Sequence, residues 1–162
     1  MNSHNREKYA LEEAALQLFL DLYHANHSSR YTCVERRESP DFVLRDDKGE
    51  SVGAEVAHLF YNAEEARMLL GRSTKKYLAL QKIEDLINVL NELMRHKEAK
   101  REKYESSYPN ILLIRNTSPI WGISDVLRMK GFIQPTAAFE RIWFISRDGS
   151  YKQWVMKNLL DL

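Results

Sequence analysis

The sequence predicts an α/β domain, α+β in its order, with one mixed central sheet flanked by helices. Two observations carry this. Residues 5–25 and 77–104 repeat apolar side chains at helical spacing. Between and after them stand short runs rich in β-branched and aromatic residues, bounded by turn residues. The size, 162 residues, suits one domain spanning 1–162 with a core large enough to need no disulfide or metal staple. Hydrophobic residues at 44% and charged residues at 29% exclude a disordered chain.

The first helix is read from Tyr9, Leu16, Phe19, Leu20 and Tyr23, which form one stripe over residues 5–25. Three strands follow, at 31–36, 42–45 and 52–59. Asp46-Asp47-Lys48-Gly49 between the last two is a turn signal, so these two form a hairpin. A short helix over 62–70 and a break at 71–74 come next. The long helix over 77–104 carries Ile83, Leu86, Ile87, Leu90, Leu93 and Met94 on one face, and Pro109 marks its end. Ile111 to Ile114 is a continuous apolar run, the sign of a strand buried on both faces. A short helix over 123–129 and a strand over 140–146 close the order, while residues 151–162 read equally as helix or strand.

A net charge of +1 excludes the global footprint of a strongly basic nucleic-acid-binding domain. Any contact with a polyanion must come from a local patch. Residues 67–82 supply one, with Arg67, Arg72, Lys75, Lys76 and Lys82 and no acidic residue among them. The single cysteine, Cys33, excludes an internal disulfide and is expected as a small buried side chain in a strand. The N-terminus shows no apolar signal segment, and no run reaches the ~18 apolar residues of a membrane span, so a cytoplasmic location is expected.

The informative residues are charges that break the apolar pattern. Glu12 falls near the middle of the first helix's stripe and Glu13 toward its edge. A carboxylate there must be paired, metal-bound or at an exposed helix end. Lys97 continues the stripe of the long helix at its centre, with Lys100 and Arg101 flanking it and Tyr104 completing it. It either snorkels at the core's rim or meets a charge. Glu55 lies mid-strand between Gly53 and Ala57 on one face, in a shallow recess, and Asp41 directly precedes the strand at 42–45. Across the hairpin Asp41 and Glu55 could share a hard cation such as Mg²⁺. The alternative makes Asp41 a turn residue and pairs Glu55 with an arginine on the next strand. His58 is expected on the face opposite Glu55, as a structural group. His24 and His27 read as surface histidines without partners. Gly-rich phosphate loops and Cys/His zinc spacings are absent from the sequence.

With Ser39-Pro40-Asp41-Phe42 followed by Gly53-Ala54-Glu55-Val56-Ala57, the chain resembles the PD-(D/E)xK nuclease superfamily, the restriction-endonuclease-like fold. The likeness covers residues 12–146 in element order, an αβββαβ core, and includes the helix carrying Lys97, Lys100 and Tyr104 before Ile111-Leu112-Leu113-Ile114. The resemblance implies that Asp41 and Glu55 bind Mg²⁺ or Mn²⁺ and that Glu12 assists. The superfamily's lysine two residues after the second acid is Ala57 here, a departure at a catalytic position. Some members carry the basic group on the next helix, where Lys97 stands. The expected function is hydrolysis of DNA phosphodiester bonds by a Mg²⁺-dependent nuclease, with Arg72, Lys75, Lys76, Lys100 and Arg101 on backbone phosphates. A homodimer is expected if both strands are cut. The alternative is a catalytically inactive module of the same fold that binds nucleic acid or a protein partner. A third reading is a structural or immunity-type partner.

Overall fold

A computed structural model describes residues 3–59, 82–103, 107–118, 120–149 and 152–162. Its centre is a six-stranded mixed sheet in the order β1-β2-β3-β4-β5-β6. The elements are α1 (Ser3–Asn26), β1 (Thr32–Arg36), β2 (Phe42–Arg45), β3 (Ser51–Leu59), α2 (Ile83–Glu102), β4 (Asn110–Asn116), α3 (Ile123–Arg128), β5 (Arg141–Ser146) and β6 (Val155–Asn158). Short 3₁₀ turns cover Lys130–Phe132 and Leu159–Asp161. The chain is therefore α+β, with helices on both faces of the sheet.

The β2–β3 hairpin forms where its turn residues predict it. Gly49 takes a positive φ of 80°, and Asp46 Oδ1 accepts the backbone N–H groups of Lys48 and Glu50. β3 and β4 then pair in parallel, from Gly53↔Asn110 to Leu59↔Asn116, and β4 and β5 continue in parallel. Parallel neighbours need a long crossover, and α2 lies in the one between β3 and β4.

Alternation along the central strands builds two separate cores. On one face, Val52, Ala54 and Val56 of β3 join Ile111, Leu113, Trp143 and Ile145 beneath Ala15, Leu16 and Phe19 of α1. On the other, Ala57, Leu59, Leu112, Ile114, Ile142 and Phe144 pack beneath Leu86, Ile87, Leu90 and Met94 of α2. Ile83 and Leu93 pack at the rim of that stripe. Asn91, buried beside it, donates to Phe132 O at 2.9 Å and accepts from Gln134 N at 2.8 Å, tying α2 to the chain after α3. The ambiguous tail becomes β6, antiparallel to β5 with Trp143↔Asn158 and Ser146↔Val155.

Two expectations are corrected. Cys33 is exposed, because β1 is the outer strand and its first four residues face solvent. A register shift between Cys33 and Glu35 further interrupts that edge. The histidines at the end of α1 do have partners. His24 Nε2 accepts Tyr31 N–H at 3.1 Å, and the His27 ring stacks on Tyr23 with centroids 4.1 Å apart. The first ties the helix end to the residue before β1, and the second braces that end on Tyr23. The short helix expected over 62–70, the break at 71–74, the start of the long helix over 77–81 and Tyr104 lie outside the described residues. Among the described residues, no helix is long and apolar enough to cross a membrane.

Candidate active site: a buried carboxylate corner

Hairpin register sets the first carboxylate. The β2–β3 ladder pairs Phe42 with Ala54, so Asp41 sits one step outside it, at the level of Glu55. Val56 lies past that last pair, and Asp41 Oδ2 accepts its backbone N–H at 2.8 Å. The side chain thus takes the place of a strand partner. Asp41 is buried, at 5% exposure. Burial raises its carboxyl pKa to about 7, helped by the nearby charges of Glu55 and Glu12, against the Val56 hydrogen bond and the Lys97 charge.

Glu55 is more deeply buried, at 1% exposure, on the α2 face of β3. Its Oε1 accepts from Lys97 Nζ at 3.2 Å and from Lys100 Nζ at 2.7 Å. Among the described residues its buried Oε2 has no hydrogen-bond partner. Burial pulls the Lys100 ammonium down, but the hydrogen bond and charge of Glu55, with Asp41 and Glu12, outweigh it and raise its pKa. The recess beside Glu55 depends on Gly53. A Cβ there would overlap Asn110 Oδ1 and approach Pro40 Cγ to 2.7 Å.

Glu12 arrives from the opposite face on α1. It is buried, and Arg36 at the end of β1 holds it, with Nη2 to Glu12 Oε2 at 2.6 Å and Nη1 to Glu13 Oε1 at 2.9 Å. The Arg36 guanidinium also lies over the Tyr9 ring, 4.2 Å from its centroid. Burial raises the Glu12 pKa. Lys8, Arg36 and Lys97 oppose that shift, and the Glu55 charge adds to it. Glu12, Asp41, Glu55 and Lys97 therefore feel one another's charge.

The structure brings these four predicted residues together and changes the part played by a fifth. Glu55 pairs with two lysines of α2, in place of the arginine weighed from sequence. Lys100, expected on a backbone phosphate, instead makes the shorter contact to Glu55. Arg101 is half-buried on the same turn. Ala57, two residues after Glu55, is sealed in the core beneath α2. Met94 belongs to that same core, and Lys97 follows it one turn later on the helix. Arg72, Lys75 and Lys76 lie outside the described residues. An arginine cap is one of the partners the sequence allows for Glu12, but nothing local singles out Arg36, the last residue of β1.

Among the described residues, no three His, Cys, Asp or Glu side chains group closely enough to hold a metal ion. Glu12 is engaged by Arg36 and does not complete a cage with the other two. Asp41 and Glu55 remain as a pair. A pair suits Mg²⁺, which keeps several waters and takes one or two carboxylates. The unpartnered Glu55 Oε2 and the strained titration of Asp41 are what a cation at this position would satisfy. His58 lies on the other face of β3, as alternation requires. Burial, then Arg115 and Lys97, lower its pKa to about 4, so its ring is neutral at pH 7. Comparison with protein-family models, with curated proteins and with solved structures gives no match for this chain.

Proposed function

We propose that the protein is a Mg²⁺-dependent nuclease with a restriction-endonuclease-like fold, cleaving DNA phosphodiester bonds. One observation carries the reading: a buried Asp41–Glu55 pair with the Lys97 ammonium 3.2 Å from Glu55. Element order supports it, since helix, antiparallel hairpin strands, crossover helix and parallel strand follow the expected αβββαβ order. Asp41 and Glu55 would hold the ion. When bound, Mg²⁺ or Mn²⁺ supplies charge at the phosphoryl oxygen and acidifies its water. Asp41, whose carboxyl pKa burial raises to about 7, would hold the ion as its carboxylate. Lys97 Nζ lies 3.2 Å from Glu55 Oε1, where it would orient the attacking water or hold the phosphate. Glu12, fixed by Arg36, adds negative charge to the same corner.

A second reading has its own observation. Both lysines already balance Glu55, and Ala57 is core, so the corner could serve only to hold α2 on β3 in a module that binds DNA without cutting it. Melting curves and a cleavage assay separate the two. The enzyme reading expects Mg²⁺ to raise the melting temperature of the wild type but not of Glu55→Gln, and expects wild-type cleavage of DNA only with the metal. Equal metal stabilisation in both proteins would remove the shared-ion site. DNA binding without cleavage would select the second reading.

A further inference from the structure

A second charged cluster sits on the α1 face, at the carboxyl ends of the three parallel strands. The registers His58↔Arg115 and Arg115↔Ile145 place β3, β4 and β5 side by side there. Ile111 and Leu113 of β4 face α1, and alternation gives Arg115 the same side. Arg147 lies two residues beyond Ile145, again on that side. Trp154, just before β6, packs against the α1 core and receives both guanidinium groups. Arg115 lies 5.1 Å from the indole centroid and Arg147 4.8 Å from it.

Two cations on one ring are poorly compensated. A cation–π contact attracts each of them but does not cancel their mutual repulsion. Among the described residues neither arginine forms an ion pair with a carboxylate. Arg115 is half-buried, and its Nε is buried without a hydrogen-bond partner. Burial and then the Arg147 charge lower its pKa. Asp148, the carboxylate next in sequence to Arg147, is taken up by the backbone and hydroxyl of Ser124. What the cluster lacks is an anion that can accept several guanidinium N–H groups at once. A phosphate does this, since its oxygens match the guanidinium fork. The place is also apt, because ligands of open sheets with parallel strands bind outside the carboxyl ends of those strands.

We infer that Arg115 and Arg147, with the Trp154 ring between their contacts, form a binding site for a phosphate group. The site is separate from the carboxylate corner and does not depend on the nuclease reading, because Glu55 faces α2 whereas Arg115 faces α1. The phosphate belongs either to a small molecule or to a polynucleotide backbone. His58, which feels both Arg115 and Lys97, lies electrically between the two sites.

The test uses the whole chain in phosphate-free buffer without divalent metal, at fixed ionic strength set with chloride. Inorganic phosphate and a short oligothymidylate are titrated separately, and binding is followed by calorimetry and by tryptophan emission. Arg147→Gln, half-buried just past β5, should weaken binding roughly tenfold or more, the scale of a lost charge-assisted hydrogen bond. Arg115→Gln should do the same. If burial makes Arg115→Gln unfold, Arg147→Gln and Trp154→Phe keep the test intact, the latter by abolishing the emission change. Weakening for inorganic phosphate identifies a small-molecule site. Weakening for the oligonucleotide alone identifies a backbone site. Wild-type affinity in the variants for both probes, or no binding by the wild type, overturns the inference.

Discussion

The two charged regions use opposite arrangements. At the carboxylate corner, Glu12 and Glu55 pair with cations from α1, β1 and α2, while Asp41 accepts a backbone N–H. At the strand ends near β6, Arg115 and Arg147 meet an indole in place of an acid. The first therefore sets acids against cations of the same chain, whereas the second holds two cations and no acid. The difference is one of topology. The corner lies where the hairpin ends and two helices pass on opposite faces, so oppositely charged side chains converge from both sides. At the strand ends, Arg115 on β4 and Arg147 just past β5 reach one indole from neighbouring parallel strands.

The largest effect should come from the corner's chemistry. Lys97→Met keeps the stem packed against the core beneath α2 and removes the ammonium. Mg²⁺-dependent cleavage should fall by roughly 10²-fold or more, the usual scale for an acid–base or positioning group, while Mg²⁺ still raises the melting temperature. Unchanged cleavage would make the corner as purely electrostatic as the arginine pair.

Next comes the pH dependence of stability, where Asp41 in the corner and His58, between the corner and the arginines, should act with opposite sign. Asp41 has its folded pKa raised from 3.8 to about 7, so the folded state holds its proton longer than the unfolded state. Its contribution is full below about 4 and is lost as the pH rises through 7, a change on the order of a few kcal/mol. His58 has its folded pKa lowered from 6.5 to about 4. Its contribution is present above 6.5 and is lost as the pH falls toward 4. Denaturant melts from pH 4 to pH 7.5 should show Asp41→Asn gaining stability relative to wild type as the pH rises. His58→Gln should instead gain relative to wild type as the pH falls. Parallel curves for wild type and Asp41→Asn would mean that Asp41 titrates normally. Added Mg²⁺ should flatten the wild-type loss near pH 7.

A smaller effect probes the backbone that makes the corner possible. Gly53→Ala places a methyl group into Asn110 and Pro40 and should cost about 1–3 kcal/mol, the range for overpacking a tight site. A melting temperature equal to wild type would show that the Asn110 side chain yields freely.

Much of this architecture is legible in local sequence. The stripe from Ile83 to Met94 marks α2, Asp46 to Gly49 marks the hairpin turn, and Ile111 to Ile114 marks a strand covered on both faces. The charges that interrupt those patterns, Glu12, Glu55 and Lys97, are visible for the same reason: an apolar period makes its own exceptions conspicuous. What fills those exceptions is not local. Arg36 meets Glu12 across 24 positions of sequence, and Lys97 meets Glu55 across 42. Those separations are bridged only by the register of β1 on β2 and by how α2 crosses β3. The same holds for Cys33, whose strand pattern is that of a buried residue but whose strand has a neighbour on one side only. It holds as well for Arg115 and Arg147, ordinary charges in sequence until parallel pairing and Trp154 set them together. Periodicity decides which face a residue takes, because it depends on the geometry of one element. Tertiary structure alone decides what stands opposite, because that depends on how separate elements meet.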